Sequence, residues 1–73
     1  MAYREEAVVH FQRAIELDPL NTEAYFHFGE LYETMKLPWR ASPLYSQILT
    51  MDPEHAGARG QLSSIEANGK KTS

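Results

Sequence analysis

The sequence repeats its own pattern after 34 residues, and this period constrains the fold more than any other feature of the chain. Under that shift, mostly apolar residues coincide: Ala7 with Ala41, Phe11 with Tyr45, Ala14 with Ile48, Ala24 with Ala58, Phe28 with Leu62 and Leu31 with Ile65. Asp18-Pro19 likewise coincides with Asp52-Pro53, with no insertion or deletion between the copies. Periods of roughly 20–50 residues indicate repeated supersecondary units that stack side by side to share a core.

The spacing of apolar residues inside each unit is helical. Tyr25, Phe28, Gly29 and Tyr32 follow one another at the intervals that place side chains on one face of an α-helix. No segment alternates with a period of two for long enough to indicate a strand. We therefore predict an all-α fold of antiparallel helix hairpins stacked as a short α-solenoid. The predicted helices span residues 3–17, 22–36, 39–51 and 54–67.

These helices are expected to form one module over residues 1–67, followed by a disordered tail over 68–73. Proline separates the helical stretches, because it cannot continue a helix that needs its N–H. Asn21 or Thr22 can cap the second helix, and Asp52-Pro53-Glu54 has the composition of a helix start.

Ser42-Pro43 leaves two alternatives for the third helix, because the residue before proline avoids the α region. Either the helix begins at Pro43 with Ser42 as its cap, or it begins earlier and tolerates the proline. We favour the earlier start, since Ala41 lies on the apolar stripe.

One set of residues stands at the positions that define the tetratricopeptide repeat: Ala7, Phe11, Ala14, Pro19, Tyr25, Phe28, Gly29, Tyr32, Ala41, Tyr45 and Pro53. The sequence resembles that family, whose units contain two antiparallel helices, A and then B. Ile48 departs from the pattern, because the family usually has alanine there. The resemblance implies one full repeat, preceded by a B helix and followed by an A helix that caps the stack. Gly29 and Ala41 are expected where the two helices of the hairpin cross closely.

The resemblance also implies a non-catalytic scaffold that binds a peptide or another protein through its A helices. In the family, the concave groove is lined by positions that correspond here to Glu23, Phe26, His27, Glu30, Glu33 and Thr34. This acidic strip would favour a peptide that carries Lys or Arg beside an apolar anchor. If a truncated array forms no continuous groove, the same residues are ordinary surface positions, and both alternatives stay open.

Some members of the family hold the C-terminal carboxylates of chaperones in a clamp of lysine, asparagine and arginine. The clamp positions hold different residues here, namely Phe26, His27, Glu30, Gly57 and Gln61. Binding of chaperone tails is therefore not expected.

Composition and spacing argue against several other functions. The formal net charge of −3 makes the chain a poor candidate for binding nucleic acid. No apolar run approaches the ~18 residues of a membrane span. The three histidines have no metal-ligand spacing, and no nucleophile accompanies Glu30 and Glu33, so we expect no metal, no cofactor and no enzymatic activity. The absence of cysteine fits a reducing compartment, and we expect a cytoplasmic protein.

Two questions stay open in the sequence. Trp39 either folds its ring over the end of the hairpin or contacts a partner. The first helix lacks its own A helix, so that side chains such as Val8 would be uncovered. The alternative function is therefore a homo-oligomerisation module, a weak homodimer that stacks through exposed repeat ends.

Overall fold

The computed structural model describes the backbone of residues 2–72 and the side chains of residues 5–67. The backbone forms α1 (Ala2–Leu17), α2 (Thr22–Thr34), α3 (Pro38–Met51) and α4 (Ala56–Thr72), with no strand within residues 2–72. The predicted all-α fold is confirmed. Helix α2 pairs most extensively with α3, α1 packs against α2, and α4 packs against α3. The Cα trace measures 35 × 32 × 14 Å, so the module is a thin slab.

The core is centred on α3. Ala41, Tyr45 and Ile48 are 0% exposed, and Phe28 of α2 packs in the same cluster. A Cβ atom on Gly29 would lie 2.7 Å from both Cε1 and Cζ of Tyr45, closer than side-chain carbons approach one another. Gly29 is therefore small because the Tyr45 ring, rather than the backbone of the other helix, fills the space beside it.

The loop before α2 is built from side-chain hydrogen bonds to the backbone. The Leu20 N–H donates to Asp18 Oδ1 at 3.4 Å, and the Ala24 N–H donates to Asn21 Oδ1 at 3.1 Å. Of the two predicted caps, Asn21 is the one that caps α2, because its oxygen satisfies an N–H that the first turn leaves unpaired.

The loop before α4 contains the same kinds of side-chain hydrogen bonds to the backbone, but the helix begins later than predicted. The Glu54 N–H donates to Asp52 Oδ1 at 3.2 Å in a turn outside the helix. The Ala58 N–H donates to His55 Nδ1 at 3.0 Å. His55 is therefore the cap, and α4 begins at Ala56 rather than at residue 54.

Helix α2 ends two residues earlier than predicted, in a tight reversal of the chain. Lys36 has a φ of 65°, in the left-handed region. Its N–H donates to the Glu33 carbonyl at 2.9 Å, and the Leu37 N–H donates to the Tyr32 carbonyl at 2.9 Å. These bonds satisfy carbonyls at the end of α2. The reversal lets α3 begin at Pro38, one residue earlier than predicted.

Pro43 lies inside α3, so the earlier of the two alternative starts is the one that forms. Proline has no N–H to donate to the carbonyl four residues back, on Trp39, and the helix loses that bond. The helix continues because Ala41 and Tyr45, on either side of the proline, are fully buried in the core.

The two terminal helices differ from their predictions in detail. Val8 of α1 packs against the core, whereas Val9 is 54% exposed, so Val8 is not the uncovered side chain. The backbone of α4 continues to Thr72, past the predicted end at residue 67. Gly69 by itself costs the helix only about 1 kcal/mol, and no proline follows it. The side chains of 68–73 lie outside the described residues, and the disorder of that tail stays a prediction.

Candidate partner-binding surface

All the residues predicted to line a partner groove lie on α2, and we refer to them together as the α2 stripe: Glu23, Phe26, His27, Glu30, Glu33 and Thr34. Intervals of three and four residues place most of them on one face of the helix. Glu23, His27 and Thr34 are exposed, and the other members are half-buried. The stripe therefore presents carboxylates to solvent around a partly covered aromatic ring.

Two members of the stripe form an ion pair when His27 is protonated. His27 Nδ1 lies 3.1 Å from Glu30 Oε1, and the two side chains are 60% and 44% exposed. The Thr34 hydroxyl donates to the Glu30 carbonyl at 3.0 Å, so it is used within the helix. An exposed pair of this kind contributes about 1 kcal/mol or less, and Glu30 stays accessible to a ligand at little cost.

Glu33 is tied to the core through Tyr45. The Tyr45 hydroxyl donates to Glu33 Oε2 at 2.5 Å, although the tyrosine itself is 0% exposed. Burial raises the pKa of the Tyr45 phenol well above its ordinary value, and the nearby carboxylates of Glu33 and Glu30 raise this pKa further. A hydrogen bond to a charged acceptor is among the stronger ones in proteins. Glu33 is thus the one stripe carboxylate whose position the core fixes.

Phe26 holds the stripe against α3 and the start of α4. Its ring centroid lies 5.7 Å from that of Tyr45 and 5.5 Å from that of His55. A Cβ atom on Gly57 would lie 3.1 Å from Phe26 Cε1, so the glycine leaves room for the ring. The Phe26 ring is consequently rigid and half-buried, which limits the entropy lost when a ligand packs on it.

Residues 5–36 match a family model described as TPR repeat, the tetratricopeptide repeat. The chain contains a TPR repeat. The match covers most of α1, the first loop, α2 and the reversal that follows it. TPR repeats generally mediate protein–protein interactions and are typically non-enzymatic. No curated protein and no solved structure matched the chain.

Sequence reasoning missed the capping role of His55, although the TPR period contained the signal. A shift of 34 residues places Asn21 on His55 and Ala24 on Ala58, so the two caps occupy equivalent positions. A neutral imidazole accepts a hydrogen bond through one ring nitrogen. Histidine is not among the usual capping residues, and for this reason composition alone did not reveal the cap.

The bond between Tyr45 and Glu33 was also missed. A shift of 34 residues places Phe11 on Tyr45, so the side chains at the two equivalent positions differ by a single hydroxyl group. A buried tyrosine hydroxyl usually has a hydrogen-bond partner, which here is the carboxylate of a predicted groove residue. The extra hydroxyl group indicated that a hydrogen-bond partner was needed, but only the packing of α2 on α3 identifies that partner as Glu33.

Trp39 does not cover the end of the hairpin. It is 65% exposed and lines a groove between α1 and α3.

Among the described residues no three His, Asp or Glu side chains come together in an arrangement that could hold a metal ion. Within the same part of the chain, no helix is both long and apolar enough to cross a membrane.

Proposed function

We propose that this chain is a protein-binding module whose α2 stripe holds a peptide carrying Lys or Arg beside an apolar side chain. The observation that carries the proposal is that the accessible residues Glu23 and Glu30 lie about one helical turn before and after Phe26 on α2, while the Phe26 ring packs against Tyr45. A cationic side chain can pair with these carboxylates while a neighbouring apolar side chain packs on Phe26.

The two kinds of contact contribute different things to binding. Pairs with exposed carboxylates contribute about 1 kcal/mol or less each, because water and salt screen them. Contact with Phe26 removes apolar surface from water at about 25 cal/mol per Å². The affinity therefore depends on the apolar anchor, and the carboxylates of Glu23 and Glu30 select for positive charge.

The test compares two synthetic peptides that share one apolar side chain and differ in carrying Lys or Glu on both sides of it. Amide chemical shifts of α2 are followed, so that binding elsewhere on the molecule is not mistaken for binding here. We expect saturable shifts with the Lys peptide only. Equal shifts with both peptides would show that the stripe does not select for charge.

A matched pair of charge reversals completes the test. Glu30→Lys should weaken binding of the Lys peptide several-fold, whereas Glu16→Lys, an exposed position on α1, should leave it unchanged. If both variants weaken binding equally, the effect comes from net charge, and the α2 stripe is not the site.

A second candidate function, homo-oligomerisation, is favoured by exposed apolar side chains on and after α1. Val9 is 54% exposed, Leu17 81% and Leu20 76%. Val9 lies in a groove of about 530 Å³ with Glu5, Glu6 and His10. Stacking on a second copy would cover this end of the module. Sedimentation equilibrium should then show a weak dimer that Val9→Glu abolishes; an ideal monomer at high micromolar concentration removes this candidate.

A further inference from the structure

A groove between α1 and α3, on a different part of the molecule from the α2 stripe, has the chemistry of a second binding site. Its volume is about 430 Å³, within the roughly 300–1,000 Å³ of ligand pockets. Ile15 of α1 and Leu44 of α3 contribute apolar walls, and Phe28 and Tyr32 of α2 also line it. Both α2 residues belong to the core, so this part of the groove has fixed geometry.

Trp39 stands in this groove without contributing to the core. It is 65% exposed, and the buried core cluster formed by α2, α3 and α4 does not include it. Tryptophan has a large apolar surface and is enriched among residues that dominate binding energy. Its exposure beside apolar walls marks this open groove as a surface on which an apolar side chain can pack.

The charge of the groove is opposite to that of the α2 stripe. Arg40 is the one charged residue among those that line it, and its guanidinium carbon lies 5.9 Å from the centroid of the Tyr32 ring. The single ion pair among side chains of residues 5–67 joins His27 and Glu30, so Arg40 has no carboxylate partner there. A guanidinium held over a ring keeps its donors available for a carboxylate.

We propose that the groove between α1 and α3 docks a partner segment in which an acidic residue adjoins an apolar one. The apolar side chain enters between Ile15 and Leu44 and contacts Trp39, while the carboxylate pairs with Arg40. The chain as a whole has a net charge of −3, so general attraction does not draw an acidic segment to it. Selection acts at short range, within the Debye length of about 8 Å at roughly 0.15 M salt.

Trp39 is the only tryptophan in the sequence, so its fluorescence reports directly on the groove. The intact chain is titrated with three blocked peptides that share a Leu-Phe pair and carry Asp, Asn or Lys on both sides of it. We expect a saturable change in emission with the Asp peptide, at least about fivefold weaker binding of the Asn peptide, and no saturation with the Lys peptide. Equal responses to the three peptides would overturn the proposal.

Substitutions of exposed residues test the role of charge in the groove. Arg40→Gln should weaken binding of the Asp peptide about tenfold, while Arg59→Gln, an exposed arginine of α4 outside the groove, should leave it unchanged. Unaltered binding by Arg40→Gln would refute the proposal. Should Arg40→Gln lose its helical circular dichroism, Gln12→Glu, another exposed lining residue, must weaken binding by repulsion.

The nature of the occupant is tested separately. If dilution of the chain alone changes Trp39 emission, and Arg40→Gln abolishes that change, the groove is covered by a second copy and the proposed external partner is wrong. Emission that is independent of protein concentration, together with saturation by the Asp peptide, supports the partner segment.

Discussion

The central hairpin of α2 and α3 and the two helices that flank it carry the same repeat pattern but bury it to different depths. In α3, Ala41 and Tyr45 are fully buried. Their counterparts one period earlier, Ala7 and Phe11 of α1, are only half-buried. The pattern therefore specifies which face of a helix points inward, whereas the depth of burial depends on how many neighbours cover that face.

The same contrast holds between α2 and α4. Phe28 of α2 is 3% exposed, but Leu62, one period later in α4, is half-buried. A side chain in the centre gains packing from helices on both sides, and a side chain at an end gains it from one. Changes in the hairpin should therefore cost more free energy than equivalent changes in the flanking helices.

The largest contrast is expected between two glycines. Gly29→Leu should lower the free energy of unfolding by ~1–3 kcal/mol or prevent folding, because even a Cβ atom would lie 2.7 Å from the buried Tyr45 ring. Gly60→Ala in α4 is the contrasting change, since a Cβ atom there meets nothing within 4 Å. It should stabilise the module by about 0.5–1 kcal/mol through helix propensity. Thermal melting that places Gly29→Leu at or above wild type would mean that the packing of α2 on α3 is misassigned.

Tyr45→Phe removes one hydroxyl from the centre and should cost about 1–2 kcal/mol near neutral pH. Because the pKa of Tyr45 is raised in the folded protein, its ionised form favours unfolding. Wild type should thus lose stability as pH rises above the ordinary tyrosine pKa of about 10, by up to about 1.4 kcal/mol per pH unit. Urea denaturation between about pH 8 and pH 11 should show a shallower decline for Tyr45→Phe. Parallel profiles for the two proteins would contradict both the burial of the Tyr45 hydroxyl and its bond to Glu33.

The two caps allow a sharper comparison of the loops. Asn21→Ala and His55→Ala should each cost about 1 kcal/mol at about pH 8, because each removes one acceptor from a helix start. His55→Asn keeps an acceptor at this position, as Asn21 does before α2, so it should retain most of the stability that His55→Ala loses. If His55→Asn is as unstable as His55→Ala, the ring nitrogen is not the acceptor.

The smallest effect is expected at the far end of α4. Removing residues 68–73 should change the free energy of unfolding by less than about 0.5 kcal/mol, because that segment contains no apolar residue. Amide hydrogen exchange measures directly whether residues 68–73 are ordered. Strong protection in 68–73 would show that the tail is ordered and would contradict its predicted disorder.

Much of this architecture could be predicted from the sequence, because it depends on local spacing. The 34-residue period and the helical intervals of Tyr25, Phe28 and Tyr32 specify four helices and their inward faces. The errors fall at helix ends, at Lys36 and at His55. There a left-handed residue and an imidazole cap perform roles that glycine and asparagine usually perform.

The candidate surfaces were less predictable, because they depend on contacts between helices. Sequence reasoning placed Glu33 in a groove but could not show that Tyr45, twelve residues later, would bind its carboxylate. Trp39 shows the same limit. It lines a groove between α1 and α3, and no property of its neighbours in the chain reports how those two helices pack.

The slab is only 14 Å thick, and this dimension has a consequence for how the module opens. Cα atoms lie about 2.3 Å from a helix axis and packed helices lie about 8–10 Å apart, so this depth holds two layers of helices with no inner layer between them. Amide protons of α1 and α4 can then exchange through partial opening that detaches one helix and leaves the hairpin intact. Protection should decline outward from α3 to both ends, and a longer array would extend the protected segment along the chain without making it deeper.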